Sequence, residues 1–162
     1  MEQWLVQPHI GVGPFRLDMS RQEFDRVFAE PPREISSRNP DRPKRLIFGR
    51  WGVHVTLNRD EQAEEIGMGP ESEVAFVFDG VDLLRSPANR ALAAVRARAP
   101  YNTSHPEVGS LFIFPKLDMT LWRGYTPTGP NDRTPEGLHF RAATIARKGV
   151  YARFLDLGST QP

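Results

Sequence analysis

The sequence predicts an α+β fold, in which an antiparallel sheet of about six to eight strands carries two helices on one face. Segments in which apolar and polar residues alternate predict the strands, and two helix start signals predict the helices. The links between successive predicted strands are too short for crossover connections, which favours antiparallel pairing.

Two matches between the halves of the chain, both at a spacing of 66 residues, predict an internal duplication. Ser20 and Ser86 each follow a glycine-containing opening, and residues 47–55 align with residues 113–121. Each unit is predicted to be β-α-β-β-β. The chain is therefore predicted to be a single domain, residues 1–162, built from repeats of about residues 1–72 and 73–157.

In the first unit, Ser20 and Glu23 have the spacing of a capping box, which predicts a helix start. Apolar residues then follow at helical spacing as far as about residue 29, and the two prolines after that end the helix. Alternation over residues 52–58 predicts a half-buried strand. Two further strands are predicted at residues 45–50 and 64–68.

In the second unit, the continuous apolar run at residues 74–78 predicts a strand that is covered on both faces. Ser86 is predicted as the cap of a helix over residues 88–99. Apolar segments at residues 111–114 and 119–122 repeat the hairpin of the first unit. A loop rich in glycine and proline follows at 125–137, and a closing hairpin is predicted from residues 139–146 and 150–155.

The composition excludes several classes of protein. The chain has 21 basic and 20 acidic side chains and a net charge of +1, so no nucleic-acid or membrane partner is predicted. It has no cysteine, which excludes disulfides and thiolate chemistry. No apolar run approaches the ~20 residues that span a bilayer. Together with an opening unlike a signal peptide, these features predict a cytoplasmic location.

No catalytic constellation is evident in the sequence. No two of the four histidines have metal-ligand spacing, and the two helix-start serines are explained by capping. Neighbouring carboxylates such as Glu64 and Glu65 point to opposite faces of a strand. The sequence therefore predicts no catalytic residue, no metal and no cofactor.

Two segments resemble a family of small bacterial proteins. Residues 10–24, IGVGPFRLDMSRQEF, resemble the first strand and helix of proteins with a β-lactamase-inhibitor-like or outer-membrane-assembly-lipoprotein-like layout. Residues 112–123, FIFPKLDMTLWR, resemble a stretch of uncharacterised bacterial proteins with the same opening. Asp18 stands where that family usually has glycine. The resemblance implies an α+β fold, and it includes members that look like immunity proteins.

The function expected from these observations is a non-catalytic protein-binding module, specifically an immunity protein whose partner is a cognate toxin. Large amphipathic rings at strand ends suit protein interfaces, which makes Trp122 and Tyr125 candidate anchors and gives Trp51 less weight. Asp60, Glu61 and Glu64 are candidate charges at the rim of the interface. The alternative is a small-ligand-binding protein or an enzyme that uses a cavity between sheet and helices, with the loop 125–137 as a lid. The oligomeric state is left open.

Overall fold

The computed structural model describes residues 1–155, in which two β-sheets are combined with three α-helices. The predicted α+β class is confirmed. Within residues 1–155, no helix is long and apolar enough to cross a membrane.

The larger sheet has seven strands, and every neighbouring pair is antiparallel. Its strands are β4 (Arg33–Ile35), β5 (Arg45–Phe48), β6 (Val53–Leu57), β7 (Ala63–Met68), β10 (Leu111–Phe114), β11 (Met119–Trp122) and β12 (Ala142–Ala146). Their order across the sheet is β10-β11-β12-β7-β6-β5-β4. Strands β5, β6, β7, β10 and β11 lie where the apolar patterns predict them.

The smaller sheet, which the sequence did not separate from the larger one, has five strands. They are β1 (Glu2–Gln7), β2 (Gly11–Val12), β3 (Phe15–Arg16), β8 (Val74–Phe78) and β9 (Val81–Asp82), in the order β3-β2-β1-β8-β9. Strands β1 and β8 are parallel, with Trp4 opposite Phe76, whereas the sequence predicted antiparallel pairing. Residues 8–73 connect them, and a connection of that length permits a parallel pair.

The helices agree with the predicted start signals in part. Helix α1 (Arg21–Val27) begins with the predicted capping box, because Ser20 Oγ accepts from the amide of Glu23 and a Glu23 carboxylate oxygen accepts from the amide of Ser20. Helix α2 (Ala88–Arg96) has Pro87 at its N-cap, so the prediction that Ser86 caps it is wrong. Helix α3 (Pro135–Leu138) is a single turn that begins in the predicted loop 125–137 and ends just after it.

The predicted closing hairpin is wrong in its second half. Strand β12 ends at Ala146, and the segment that follows forms turns and a short 3-10 helix at Ala152–Phe154. The amides of Gly149 and Tyr151 donate to the side chain of Asp118 and not to a neighbouring strand. These bonds hold the segment without a strand pairing.

The duplication of the whole unit is not shown by the structure. The hairpins β5–β6 and β10–β11 do share one register at a spacing of 66, with Phe48 opposite Val53 and Phe114 opposite Met119. However, β11 and β12 are separated by residues 123–141, while β6 and β7 are joined by a short turn. The division into repeats stays a prediction, and its last residues, 156 and 157, lie outside the described residues.

An aromatic cluster joins the two sheets and α1. It consists of Trp4, Phe15, Phe24, Phe28, Phe48, Trp51 and Phe76. Phe15 is fully buried, and its ring centroid lies 4.4 Å from that of Phe28 and 4.9 Å from that of Phe48. Aromatic rings bury large areas and gain from such tilted and stacked contacts. The cluster therefore forms a major part of the common core.

Replacing Phe15 by alanine tests the importance of this cluster. We expect the free energy of unfolding to fall by about 3–5 kcal/mol, the usual cost of truncating a buried phenylalanine. Urea denaturation followed by circular dichroism measures the loss. The matched control is Leu5→Ala on β1, whose side chain is 59% exposed. Equal losses for the two variants would contradict the role given to the cluster.

Candidate functional site

Two of the three tryptophans lie at the same end of the larger sheet. Trp122 is opposite Ala142 on β12, and the neighbouring residue Ala143 is opposite Met68 on β7. Met68 is opposite Val53, the first residue after the turn that contains Trp51. We call this region the tryptophan end and define it by Trp51, Trp122 and Tyr125, which follows β11.

The two rings at the tryptophan end have different environments. Trp122 is 43% exposed and lies on the face of β11 opposite to the buried Leu121. Trp51 is partly buried, with its ring centroid 5.1 Å from that of Trp4. The guanidinium of Arg50 lies 4.5 Å above the Trp51 ring. The Trp122 ring is therefore exposed on one face of the sheet, whereas the Trp51 ring packs against the core beside Trp4.

A single carboxylate organises the loop that carries Tyr125. Asp132 accepts five hydrogen bonds: from Tyr125 Oη at 2.8 Å, from the amides of Thr128 and Thr134 at 3.0 Å, and from their hydroxyls at 3.1 and 2.7 Å. These donors, led by the Thr128 amide, hold the pKa of Asp132 far below its ordinary value of 3.8. The loop is therefore pinned to one conformation by an ionised side chain.

Arg123 fixes the start of the same loop. Its Nε donates to the carbonyl of Gly109 at 2.8 Å, and its Nη1 donates to the carbonyl of Gly137 at 3.1 Å. The guanidinium also lies 5.6 Å from the centroid of Phe112. Partial burial lowers the pKa of Arg123. Arg123 thus ties the loop to its neighbours on both sides, next to the exposed Trp122.

The predicted acidic residues lie elsewhere. Asp60 and Glu61 precede the start of β7, and Glu64 lies near it, whereas the tryptophan end is at the other end of that strand. The two groups are separated by the length of β7, about 17 Å at ~3.3 Å per residue. The structure therefore places Trp122 and Tyr125 near one end of β7 and the three acids near the other.

The acidic group and the loop before β5 together line an open depression of about 950 Å3. Glu61 accepts from Lys44 Nζ at 2.6 Å, and this contact lowers the pKa of Glu61. Asp60 is exposed, and the carbonyl of Glu64 accepts from the amide of Arg147 at 2.9 Å. Both signs of charge line the depression, so it is a mixed polar surface.

A polar cluster that sequence analysis did not find joins residues far apart in the chain. His9 Nε2 lies 2.9 Å from Asp118 Oδ2, and Asp118 is buried. Tyr151, whose amide donates to Asp118, also donates its hydroxyl to Glu65 at 3.1 Å. Burial raises the pKa of both Tyr151 and Glu65. His9 and Asp118 have positive φ angles of 65° and 45°, a conformation available to few side chains.

The remaining histidines are apart from one another. His54 was predicted to be solvated, but it is partly buried beside Gly67, where a Cβ would meet the His54 ring. Burial, with a smaller contribution from Arg45, lowers the pKa of His54. Within residues 1–155, no three histidine or acidic side chains are placed to hold a metal ion.

No model of a protein family, no curated protein and no solved structure matches this chain. The interpretation of the tryptophan end therefore depends on its own geometry.

Replacing Asp132 by asparagine tests whether this carboxylate orders the loop. We expect the amide protons of Thr128 and Thr134 to exchange faster with solvent and the Tm to fall, because an amide cannot serve all five donors. Hydrogen exchange by NMR and thermal unfolding measure both effects. The matched control is Asp60→Asn, at an exposed position.

The loss of stability in Asp132→Asn is also expected to depend on pH. Because the pKa of folded Asp132 is depressed, the stability it supplies is complete above the ordinary value of 3.8 and is lost as pH falls towards the folded value. The Tm difference between wild type and Asp132→Asn is therefore largest near neutral pH and shrinks under acid. A difference that is independent of pH would exclude the ionised carboxylate as the cause.

Proposed function

We propose that this chain is a non-catalytic protein-binding module that uses the tryptophan end, and specifically an immunity protein that neutralises a cognate toxin. The observation that carries the proposal is the exposure of Trp122 beside a loop fixed by Asp132. The resemblance of residues 10–24 and 112–123 to immunity-type proteins supports the more specific form.

The geometry suits binding for two reasons. Tryptophan and tyrosine are enriched among the residues that supply most of the energy of protein interfaces, since burying a large ring releases much apolar surface. A loop that is already ordered loses little conformational entropy when a partner binds it. Trp122 supplies the ring, and the bonds of Asp132 and Arg123 supply the order.

The acidic group has a different part in this proposal. Asp60, Glu61 and Glu64 are too far from Trp122 to surround it directly, but charges at a distance steer a partner during encounter. We place this encounter in the cytoplasm, in keeping with the cysteine-free composition.

The structure also bears on the alternative of a small-ligand protein or an enzyme. A cavity does lie between α1 and β5, but its volume of about 230 Å3 is small. Sites for small molecules usually measure about 300–1,000 Å3. The His9–Asp118 pair is explained by structure, since the buried carboxylate is already bonded to two amides of the segment that follows β12. The larger depression of about 950 Å3 is open and is lined by a loop and the β6–β7 turn, not by a sheet and a helix. These observations count against a ligand cavity between sheet and helices.

Replacing Trp122 by alanine tests the proposal. The partner to use is the protein encoded beside this chain's own gene, and calorimetric titration measures its affinity. We expect Kd to rise at least ~30-fold, because an anchor residue of an interface contributes about 2 kcal/mol or more. Circular dichroism checks that the fold is kept.

The matched control is Leu5→Ala, an exposed apolar residue on the smaller sheet. It is expected to leave Kd unchanged. A partner that binds Trp122→Ala as tightly as wild type would show that the tryptophan end is not the binding surface. If the neighbouring gene product does not bind at all, the immunity assignment is wrong.

A further inference from the structure

The charged residues of this chain are divided unequally along the sequence. Residues 81–155, which begin with β9, contain 11 basic and 5 acidic side chains, a net charge of +6. Residues 1–80 contain 10 basic and 14 acidic side chains, a net charge of −4. Together with Asp156, these two parts of opposite sign make up the overall charge of +1.

The fold keeps these two parts on different sides of the molecule. In the larger sheet, β10, β11 and β12 are neighbours on one side, and β7, β6, β5 and β4 make up the other. In the smaller sheet, β9 is an edge strand, and α2 contacts it. The acidic group Asp60, Glu61 and Glu64 lies at the β6–β7 turn and the start of β7, in the negative part. We call the part formed by residues 81–155, which carries Trp122, the basic side.

Most cations of the basic side have no carboxylate partner. Of its 11 basic side chains, only Arg85 and Arg98 form an ion pair within the described residues 1–155. Seven of the others are exposed. Exposed and unpaired cations of one sign attract an oppositely charged surface and raise the rate at which it associates.

Two of these exposed arginines lie close to the exposed tryptophan in the chain. The amide of Arg141 donates to the carbonyl of Trp122 at 2.7 Å, so the backbones of the two residues are adjacent. Arg133 lies in the loop that Asp132 orders. The connection between β11 and β12 contains three arginines and two acids, Asp132 and Glu136, so it has one positive charge in excess.

We propose that the basic side binds an acidic surface of a protein partner, whose carboxylates pair with Arg133 and Arg141 around a contact to Trp122. Arginine binds a carboxylate through two parallel hydrogen bonds, which fixes orientation as well as charge. The acidic group on the other side repels the same partner and limits the orientations in which it docks. The proposal rests on the proposed binding function and deepens it, because it names the charge of the partner's surface.

Two observations favour a protein over a nucleic acid as the acidic partner. The isoelectric point of the whole chain is about 8.2, whereas domains that bind nucleic acid commonly exceed ~9. Trp122 is also the one exposed aromatic side chain among residues 1–155. Proteins that bind single strands stack successive bases on several rings.

Reversing the two arginine charges tests the proposal. The variant is Arg133→Glu with Arg141→Glu. The matched control is Arg16→Glu with Arg38→Glu, which changes the net charge equally but in the negative part. Arg16 and Arg38 are both exposed, and neither forms an ion pair within residues 1–155. Circular dichroism checks the fold, and the milder pair Arg133→Gln with Arg141→Gln replaces the reversal if the fold is disturbed.

The probes are the peptide acetyl-Glu-Glu-Leu-Glu-Glu-amide, the same peptide with glutamine or with lysine in place of glutamate, and the oligonucleotide d(TTTTT), which also carries four negative charges. NMR of 15N-labelled protein follows the Trp122 indole and the amides of Gly124 and Tyr125. We expect the glutamate peptide to bind in the millimolar range at low salt, because exposed ion pairs are weak, and to be released at about 0.5 M salt. The glutamine and lysine peptides should cause no shifts. The reversal should abolish the shifts, and the control variant should keep them.

Three results would overturn the proposal: equal shifts from the glutamate and glutamine peptides, equal binding to the reversal and the control variant, or stronger shifts from d(TTTTT) than from the glutamate peptide. The last result would assign the basic side to a nucleic acid.

The protein encoded beside this chain's gene separates this proposal from the binding function. Stopped-flow measurement should show its association slowed about tenfold by the reversal at low salt and unchanged in the control. If the reversal has no effect but Trp122→Ala loses affinity, the acidic-partner proposal fails and the binding function stands. If the glutamate peptide binds as expected but the partner binds Trp122→Ala as tightly as wild type, the basic side stands and the tryptophan end is not the anchor.

Discussion

Seven aromatic side chains pack against one another where the smaller sheet, α1 and the larger sheet meet, and the rest of the structure is arranged around these contacts. Trp4 and Phe76 connect the parallel pair β1–β8 to the cluster, and Phe15 connects β3, the strand before α1. At one edge, Phe28 and Trp51 line a cavity. The same packing thus stabilises the core and fixes the position of Trp51.

Two carboxylates complement the aromatic packing. Asp118 is buried and holds the segment after β12, while Asp132 holds the loop after β11. Asp118 accepts from the amides of Gly149 and Tyr151, which are distant in the chain, and Asp132 accepts from the amides of Thr128 and Thr134 in its own loop. The donors around Asp132 hold its pKa below the ordinary value, and an ionised acceptor makes shorter and stronger hydrogen bonds than a neutral one. Loops that lack regular structure are therefore ordered at both ends of the larger sheet.

The sequence predicted the parts of this structure that depend on neighbours in the chain. Alternation located β6 because one of its faces is buried, and the capping box located α1 because its bonds join Ser20 and Glu23. It did not predict the parallel pair β1–β8 or the bond between His9 and Asp118, because those partners are brought together only by the folded core. For the candidate site, strand-end position selected Trp122 and Tyr125. The cavity depends on the packing of α1 against β5, which no local pattern encodes.

The indole N–H signals of the three tryptophans provide the most direct test of the central claim that a protein partner binds the tryptophan end. Trp122 is exposed, Trp51 is partly buried and Trp4 is buried, so the three report on different depths of the same region. We expect the partner encoded beside this chain's gene to shift or broaden the signals of Trp122 and Trp51 most strongly. Unchanged indole signals, together with shifts confined to the amides of Asp60, Glu61 and Glu64, would contradict the account.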